Sequence, residues 1–349
     1  MKILSSLEIS VIVQELQQFL GAKLDQLYQP DQTEIVLALH KTGMGKHLLR
    51  IVPGTALYIA SKKRASPQDQ LNFCRFLRKR LDNTRLQEII QKNKERIVEF
   101  HFAGKETKFI LITEFFSKGN IILCDQNYTI ISALQVQLWK DRKIKAKVMY
   151  EYPPEKKNIG EDFQEFAHLV EKSEKENIVK TLAMGLNLGG VYAEELCVRA
   201  QIDKNAKTLD DRELKRLFAQ YQILSEEQVS PNIIDNNPVP FHMKSLGEGT
   251  AYKTYSEALD AYYSAFIPEE ELKETEEKED KNETILKDQE RLRVQVEKAI
   301  EENQKKGEWI YAHYMEVREL LDLFKAGKKE EVKKKGAEIE GPNLLISIE

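Results

Sequence analysis

The sequence predicts an α+β chain: a helix-flanked β-sandwich over residues 1–150, a helical domain over 151–267, a coiled-coil helix over 268–306, and the start of a further small domain over 307–349. Three observations carry this. Short alternating apolar segments separated by Gly and Pro turns fill the first 150 residues. Tyr152-Pro153-Pro154 then breaks the alternation, and a three-to-four-residue period takes over. From Glu269 the chain turns charged and poor in glycine. A chain of 349 residues is long enough for two or three domains with their own cores.

Taken in order, Ser6 to Leu20 reads as an amphipathic helix closed by Gly21. Lys23–Tyr28, Glu34–His40, His47–Ile51 and Ala56–Ile59 alternate, with turns at Pro30-Asp31, Thr42–Gly45 and Pro53-Gly54, and form a β-meander. Ser66-Pro67 is a helix-start signature, with Ser66 as the expected cap. On the helix that follows, Leu71, Cys74, Leu77 and Leu81 form an apolar face, so Arg75, Arg78 and Arg80 point to solvent or to a ligand. Strands recur at Leu86–Ile90, Arg96–Phe102, Thr107–Phe115, Asn120–Cys124 and Thr129–Gln135. Glu161 to Gln222 is helical, Asn232–Met243 is β-like, and Ser256–Tyr263 opens another helix.

Met184 to Asp203 is the most informative stretch. Gly185, Gly189 and Gly190 fall within six residues, and an apolar-periodic helix follows at once. A helix ends at Gly185, the chain turns tightly, and a second helix begins near Gly190. Glycines there expose backbone N–H groups at a helix N-terminus, a seat for phosphate. The same residues also serve as C-caps of an ordinary helical hairpin.

Farther on, Ile285, Leu292 and Ala299 occupy one heptad position and Gln289, Val296 and Asn303 the other, a weak coiled-coil seam. A helix over 269–306 would reach about 57 Å. One arm cannot bury its own apolar stripe, so its partner strand is expected outside this sequence, in a return arm or in another chain. A further helix at Trp309–Phe324, a lysine-rich stretch and a short apolar end complete the chain.

The net charge of −4 hides a division. Residues 1–150 carry 24 Lys/Arg against 14 Asp/Glu, and residues 151–349 carry 29 against 43. Between Lys62 and Arg96 lie Lys62, Lys63, Arg64, Arg75, Arg78, Lys79, Arg80, Arg85, Lys92, Lys94 and Arg96, against four acids. Such a ridge suits a phosphate backbone, and it carries no motif for reading bases. The acidic run from Glu269 to Asp280 is expected to face solvent or a protein.

Catalytic signatures are missing. Gly43-Met44-Gly45-Lys46 has His at positions 40 and 47 where a phosphate loop needs Gly and Ser/Thr. The six histidines are scattered, Cys74, Cys124 and Cys197 have no metal or pairing motif, and Asp210-Asp211 reads as a helix cap. No catalytic residue, cofactor or metal is therefore expected. The apolar runs are too short to span a membrane, and Met1–Ser10 reads as a helix start rather than an export signal, so the expected location is cytoplasmic.

Several segments together resemble the NFACT family of ribosome-associated quality-control factors. They are Leu4–Ile9, Pro67–Arg96 with Asn72-Phe73-Cys74 and Leu77-Arg78-Lys79, Thr113–Leu123, the glycine-rich hairpin and Ser256–Tyr263. The resemblance implies a glycosylase-like N-terminal β-domain, a helix-two-turns-helix domain and a coiled-coil arm leading to a middle domain. It also implies function: binding of large ribosomal subunits that carry stalled peptidyl-tRNA, and recruitment of tRNA for C-terminal tailing of the nascent chain. Its partners would be the large subunit, tRNA and peptidyl-tRNA, with an E3 ligase in eukaryotic members and no membrane. By the family pattern, a return arm and an RNA-binding domain would lie beyond this sequence. The family's Asp-Arg pair falls here on Glu95-Arg96, with Glu one methylene longer than Asp; Glu114 and Asn120 flank a hairpin tip that the family retains. Expected RNA contacts are thus Glu95, Arg96, Glu114, Asn120, Lys62, Lys63, Arg64, Arg75, Arg78, Arg80, Asn187, Gly189 and Gly190. A DNA-glycosylase-like nucleic-acid-binding protein is the alternative, weakened by Met1-Lys2 where such enzymes use an N-terminal proline. A surface adhesin, suggested by the fibronectin-binding name of some homologues, lacks an export signal here.

Overall fold

Helix α1 (Ser6–Leu16) starts where it does because Ser5 and Glu8 cap each other: the Ser5 hydroxyl accepts from the Glu8 amide, and the Glu8 carboxylate accepts from the Ser5 amide at 2.7 Å. The computed structural model describes residues 1–139, 142–154 and 162–346, leaving out the side chains of 269, 272–284 and 287. Most of the acidic run from Glu269 to Asp280 therefore lies outside the described residues. Ile9, Ile12 and Leu16 of α1 are wholly buried, and a 3-10 turn with Gly21 at φ 83° ends the helix.

Strands β1 (Lys23–Tyr28), β2 (Ile35–Lys41), β3 (Gly45–Val52) and β4 (Ala56–Ala60) form the expected meander. Helix α2 (Asn72–Leu81) separates them from β5 (Arg85–Gln91), β6 (Ile97–Ala103), β7 (Lys108–Glu114), β8 (Asn120–Asp125) and β9 (Ile130–Ala133). All nine join in one antiparallel sheet, ordered β4-β3-β2-β1-β5-β6-β7-β8-β9. The two halves are joined where Lys23 pairs with Arg85, flanked by bonds from the Leu24 amide to the Thr84 carbonyl and from the Leu86 amide to the Ala22 carbonyl, both at 2.9 Å. They also meet at their turns, where the Gly54 amide donates to the Glu114 carbonyl at 3.1 Å. Leu37, Leu49 and Leu57 of one half share an apolar cluster with Phe100, Leu111 and Leu123 of the other. The two layers of the sandwich are thus two halves of one sheet. Ile97, Ile110, Ile112 and Ile122 build a second small core, with Ile144 and Tyr150 from the segment after β9, which includes the hairpin of β10 (Gln137–Leu138) and β11 (Lys143–Ile144).

Helix α2 corrects one expectation. It begins at Asn72, not at Ser66, and the Ser66 hydroxyl is buried without a hydrogen-bond partner among the described residues. A cap is useful only if the turn after it buries apolar side chains, and Gln68-Asp69-Gln70 offers none; burial starts at Phe73.

The helical region comprises α3 (Phe163–Glu171), α4 (Ile178–Gly185), α5 (Gly189–Ala200) and α6 (Asp211–Ser225), capped by Asp162, Asn177 and, in a second capping box, Asp210 with Glu213. Strands β12 (Asn232–Ile234), β13 (Asn237–Val239) and β14 (Thr250–Ala251) make a small sheet. Helix α7 (Tyr255–Ser264) packs on β4, stacking Tyr263 on Tyr58 at 5.3 Å. Residues 1–275 form one unit and 276–349 another. Helix α8 (Glu269–Ala312) passes through that boundary, with Ile285, Leu292 and Val296 exposed. The expected helix at Trp309–Phe324 is divided at His313, so Trp309 closes α8 and α9 (Tyr314–Lys325) follows. In the second unit α9, α10 (Lys329–Lys334), β15 (Ala337–Glu340) and β16 (Asn343–Ile346) enclose Leu320, Val332 and Ala337. Among the described residues no helix is long and apolar enough to cross a membrane.

Candidate nucleic-acid interface

The turn between β5 and β6 is the most strained place in the sheet. Asn93 (φ 46°) and Lys94 (φ 52°) are consecutive non-glycine residues in the left-handed region. Each costs of order 1 kcal/mol, so surrounding structure must hold them. It does. The Gln91 amide donates to the carbonyls of Ser6 and Glu95, both at 2.9 Å, the Ser6 hydroxyl donates to the Lys94 carbonyl, and the Phe115 amide donates to the Arg96 carbonyl at 2.8 Å. The start of α1 and the end of β7 thereby present Glu95 and Arg96 in a fixed geometry.

The α4–α5 hairpin docks on this turn. Asn187 (φ 54°) donates from Nδ2 to Glu95 Oε2 at 2.8 Å and accepts from the Ser6 amide at 3.3 Å. Between hairpin and sheet lies a cavity of about 200 Å³, lined by Lys92, Glu95, Arg96, Phe116, Tyr152 and Asn187 among others. Lys92 sits over the Tyr152 ring at 4.8 Å, and the Tyr152 hydroxyl is anchored on the buried Glu99 carboxylate. Arg96 is half-buried, and among the described residues no side chain or carbonyl accepts a hydrogen bond from its guanidinium. Burial holds its pKa below the usual arginine value, with the neighbouring Glu95 charge opposing the shift. A partly desolvated guanidinium beside aromatic rings can pair with phosphate in a bidentate way or stack on a base.

Two residues beyond Asn187, α5 starts with no side-chain cap: Leu188 makes none. Gly189 needs its left-handed φ of 75°, whereas a Cβ on Gly190 would meet nothing within 4 Å. Among the described residues no side chain caps the first turn of α5, as a phosphate seat requires.

The remaining expected contacts lie elsewhere. Lys63 and Arg78 share the Tyr28 ring at 4.5 and 5.7 Å, and Arg78 Nε donates to the Leu27 carbonyl at 2.6 Å. Arg80 covers Phe76, Arg75 is exposed beside Asn72, and Lys62 is exposed. Arg64 is engaged by three carboxylates, Asp31 at 2.7 Å, Glu34 at 3.1 Å and Glu271 at 2.8 Å. Glu114 and Asn120 are interior: Glu114 takes Tyr150 Oη at 2.8 Å and the Arg142 guanidinium, and Asn120 holds both the amide and the carbonyl of Gln135. They shape the hairpin. The structure thus gathers Glu95, Arg96 and Asn187 at one cavity, places Gly189 and Gly190 next along the chain, and disperses the Lys62–Arg80 ridge, with Lys63 and Arg78 on Tyr28, Arg80 on Phe76 and Arg64 on carboxylates.

Phe116 and Tyr152 line the cavity without having been singled out. Tyr152 heads the Pro-Pro break, and its aromatic ring in a breaker was the available signal. Cys74, Cys124 and Cys197 are free and buried, and burial pushes the Cys197 thiol up to about 11. Among the described residues no three His, Cys, Asp or Glu side chains could hold a metal together.

The chain is similar to known proteins. The chain is 31% identical over 351 residues to the archaeal Rqc2 homolog aRqcH of Methanocaldococcus jannaschii, covering 93% of this chain and 52% of that protein. It is 21% identical over 347 residues to the human ribosome quality control complex subunit NEMF, covering 88% of this chain and 32% of that one. The chain therefore spans about half the length of the archaeal relative and about a third of the human one. The N-terminal part of the fibronectin/fibrinogen-binding protein of Streptococcus suis superposes with a TM-score of 0.62 at 24% identity, covering 75% of this chain and 99% of that chain, a likeness of fold. The family described as NFACT N-terminal and middle domains matches residues 5–345, and the chain belongs to it.

Proposed function

We propose that this chain is the N-terminal and middle part of a ribosome quality-control factor that works by holding RNA, without a catalytic group of its own. In this reading residues 1–150 and 151–267 form the RNA-facing part and 268–306 the arm. Arg96 takes a phosphate or base of tRNA on large subunits that carry stalled peptidyl-tRNA, which places tRNA for C-terminal tailing in the cytoplasm. The names of the relatives support the assignment to ribosome quality control. The observation that carries the residue-level reading is the Arg96 guanidinium itself: half-buried, rigidly presented and without an acceptor among the described residues. Ordinary folding stability favours pairing such a group.

Co-sedimentation with purified large subunits, with and without peptidyl-tRNA, tests this across a salt series. Arg96→Ala is expected to weaken the tRNA-dependent component about tenfold or more, since hydrogen bonds to charged groups contribute ~1.5–3 kcal/mol. Arg96→Lys should rescue it only in part, because an ammonium lacks the planar fork. Unchanged binding by both variants would remove Arg96 from the interface.

A further inference from the structure

The β10–β11 hairpin carries side chains that a solvent-facing surface has no use for. Leu138 pairs with Lys143 across the hairpin, and Gln137 pairs with Ile144. Gln137 and Ile144 face inward: Gln137 accepts from Asn120 Nδ2 at 3.1 Å, and Ile144 is wholly buried. The outward set is different in kind. Val136, Leu138 and Trp139 are 68%, 65% and 47% exposed, and Lys143, Lys145 and Lys147 stand exposed on the returning strand and the turn after it. Among the described residues none of these three ammonium groups has an ion-pair or hydrogen-bond partner.

Arg142, which leads into the returning strand, is firmly anchored. Arg142 binds the buried Glu114 carboxylate, donates from Nε to the Glu151 carbonyl at 2.7 Å, and lies over the rings of Tyr150, Trp139 and Phe116 at 5.0, 5.8 and 6.0 Å. Phe116 is one of the two rings that line the Arg96 cavity. The hairpin is therefore joined to the cavity through one packed arginine.

We propose that the outward face of this hairpin is a second RNA contact, which takes unpaired nucleotides: a base stacks on Trp139 while neighbouring phosphates sit on Lys143 and Lys145. Every base offers a π-face to an exposed indole, and a cationic strand beside it tracks the backbone without reading sequence. Exposed lysines alternating with apolar groups fit a polyanion with flat bases, whereas a protein partner of the same face would need to bring matching carboxylates. The inference rests on the RNA reading of the Arg96 cavity and extends it to a different element.

Trp139 and Trp309 are the only two tryptophans of the chain, so Trp309→Phe makes Trp139 the sole reporter. The probe is a short uridine-rich single strand of RNA, with a duplex of equal length as its counterpart. The single strand should quench Trp139 fluorescence and the duplex should not. Trp139→Ala should weaken single-strand binding about fivefold or more, with Trp139→Phe retaining most of it. Lys143→Glu with Lys145→Glu should lower the salt slope by at least ~1.4, at ~0.7 for each lost phosphate. Equal quenching by duplex, or single-strand binding unchanged by Trp139→Ala and the double reversal, overturns the inference. If Arg96→Ala still lowers subunit binding in that case, the cavity reading stands without the hairpin; if no RNA or subunit binds at all, both fall.

Discussion

Two charged side chains near the start of α1 meet opposite fates. Glu8 is wholly buried and saturated: Lys2 Nζ at 2.6 Å, the Ser5 amide at 2.7 Å, and the hydroxyls of Tyr192 and Tyr255 at 2.8 and 2.6 Å. Arg96 stands across the Ser6–Asn187 contact, half-buried, with no acceptor among the described residues. Both have lost water, and only one has been compensated by the protein. A buried charge held by four donors is part of the scaffold, here tying the N-terminus to α5 and α7. A half-buried charge with no partner among the described residues leaves its compensation to something that binds.

Removing the saturated charge should have the larger effect on folding. Glu8→Ala removes the carboxylate that Lys2 and the Tyr192 and Tyr255 hydroxyls share, leaving Lys2 only Asn237 and Tyr255 only the Pro238 carbonyl, a loss of about 3–5 kcal/mol in urea unfolding. Arg96→Ala should cost under ~1 kcal/mol, because no intramolecular bond is lost. Acid sharpens the contrast. Burial pushes the Glu8 carboxyl up, but the Lys2 charge and the bonds from Lys2, Ser5 and Tyr255 outweigh it, so its pKa lies below the ordinary 4.5. A carboxyl depressed on folding stabilises above its unfolded value and loses that contribution as pH falls through the folded one. Wild-type stability should therefore fall below pH ~4.5, with Glu99 and Glu195 contributing in the same direction. Glu8→Gln should flatten that fall; an acid profile as steep as wild type would mean that Glu8 is not ionised in the fold.

The fold was legible where the signal was local. Alternation between Gly and Pro turns placed the nine strands of the sheet within about a residue or two, and Ser-Pro misplaced only one helix start. The site was legible in part. Glu95, Arg96 and Asn187 stood out by family pattern and glycine chemistry, yet the Asn187–Glu95 bond spans 92 positions, which no local period encodes. Arg64 shows the converse. It reads as one more cation in a basic run, and its three carboxylates arrive from 33, 30 and 207 positions away. Charge counting sees how many cations there are, and only the fold decides which are already neutralised.

Glycines divide along the same line. A Cβ on Gly119, which adopts φ 68°, would lie 2.0 Å from the Gly54 amide nitrogen where the two halves of the sheet meet. Gly119→Ala must displace backbone and should destabilise by at least about 2 kcal/mol, seen as a lowered unfolding midpoint. Gly190→Ala meets open space and should leave stability equal or up to ~1 kcal/mol higher, as alanine suits a helix better. If a phosphate sits on the first turn of α5, the added methyl should still weaken RNA binding. A Gly190→Ala variant that binds RNA as wild type would place that turn on the scaffold side of the comparison.

The smallest effects separate the two kinds of basic residue on the ridge. Arg64→Ala gives up ion pairs that are partly exposed, while Glu34 keeps Arg50 at 2.5 Å, so the expected loss of stability is about 1 kcal/mol or less. RNA affinity and its salt slope should stay unchanged, because that guanidinium is already occupied. Arg75→Ala should do the reverse. Its side chain is exposed, stability should not move, and the salt slope of RNA binding should fall by ~0.7–0.9 if it meets one phosphate. A slope that falls for Arg64 and not for Arg75 would show that the carboxylates release Arg64 on binding. The distinction between occupied and waiting cations would then hold for the free protein alone.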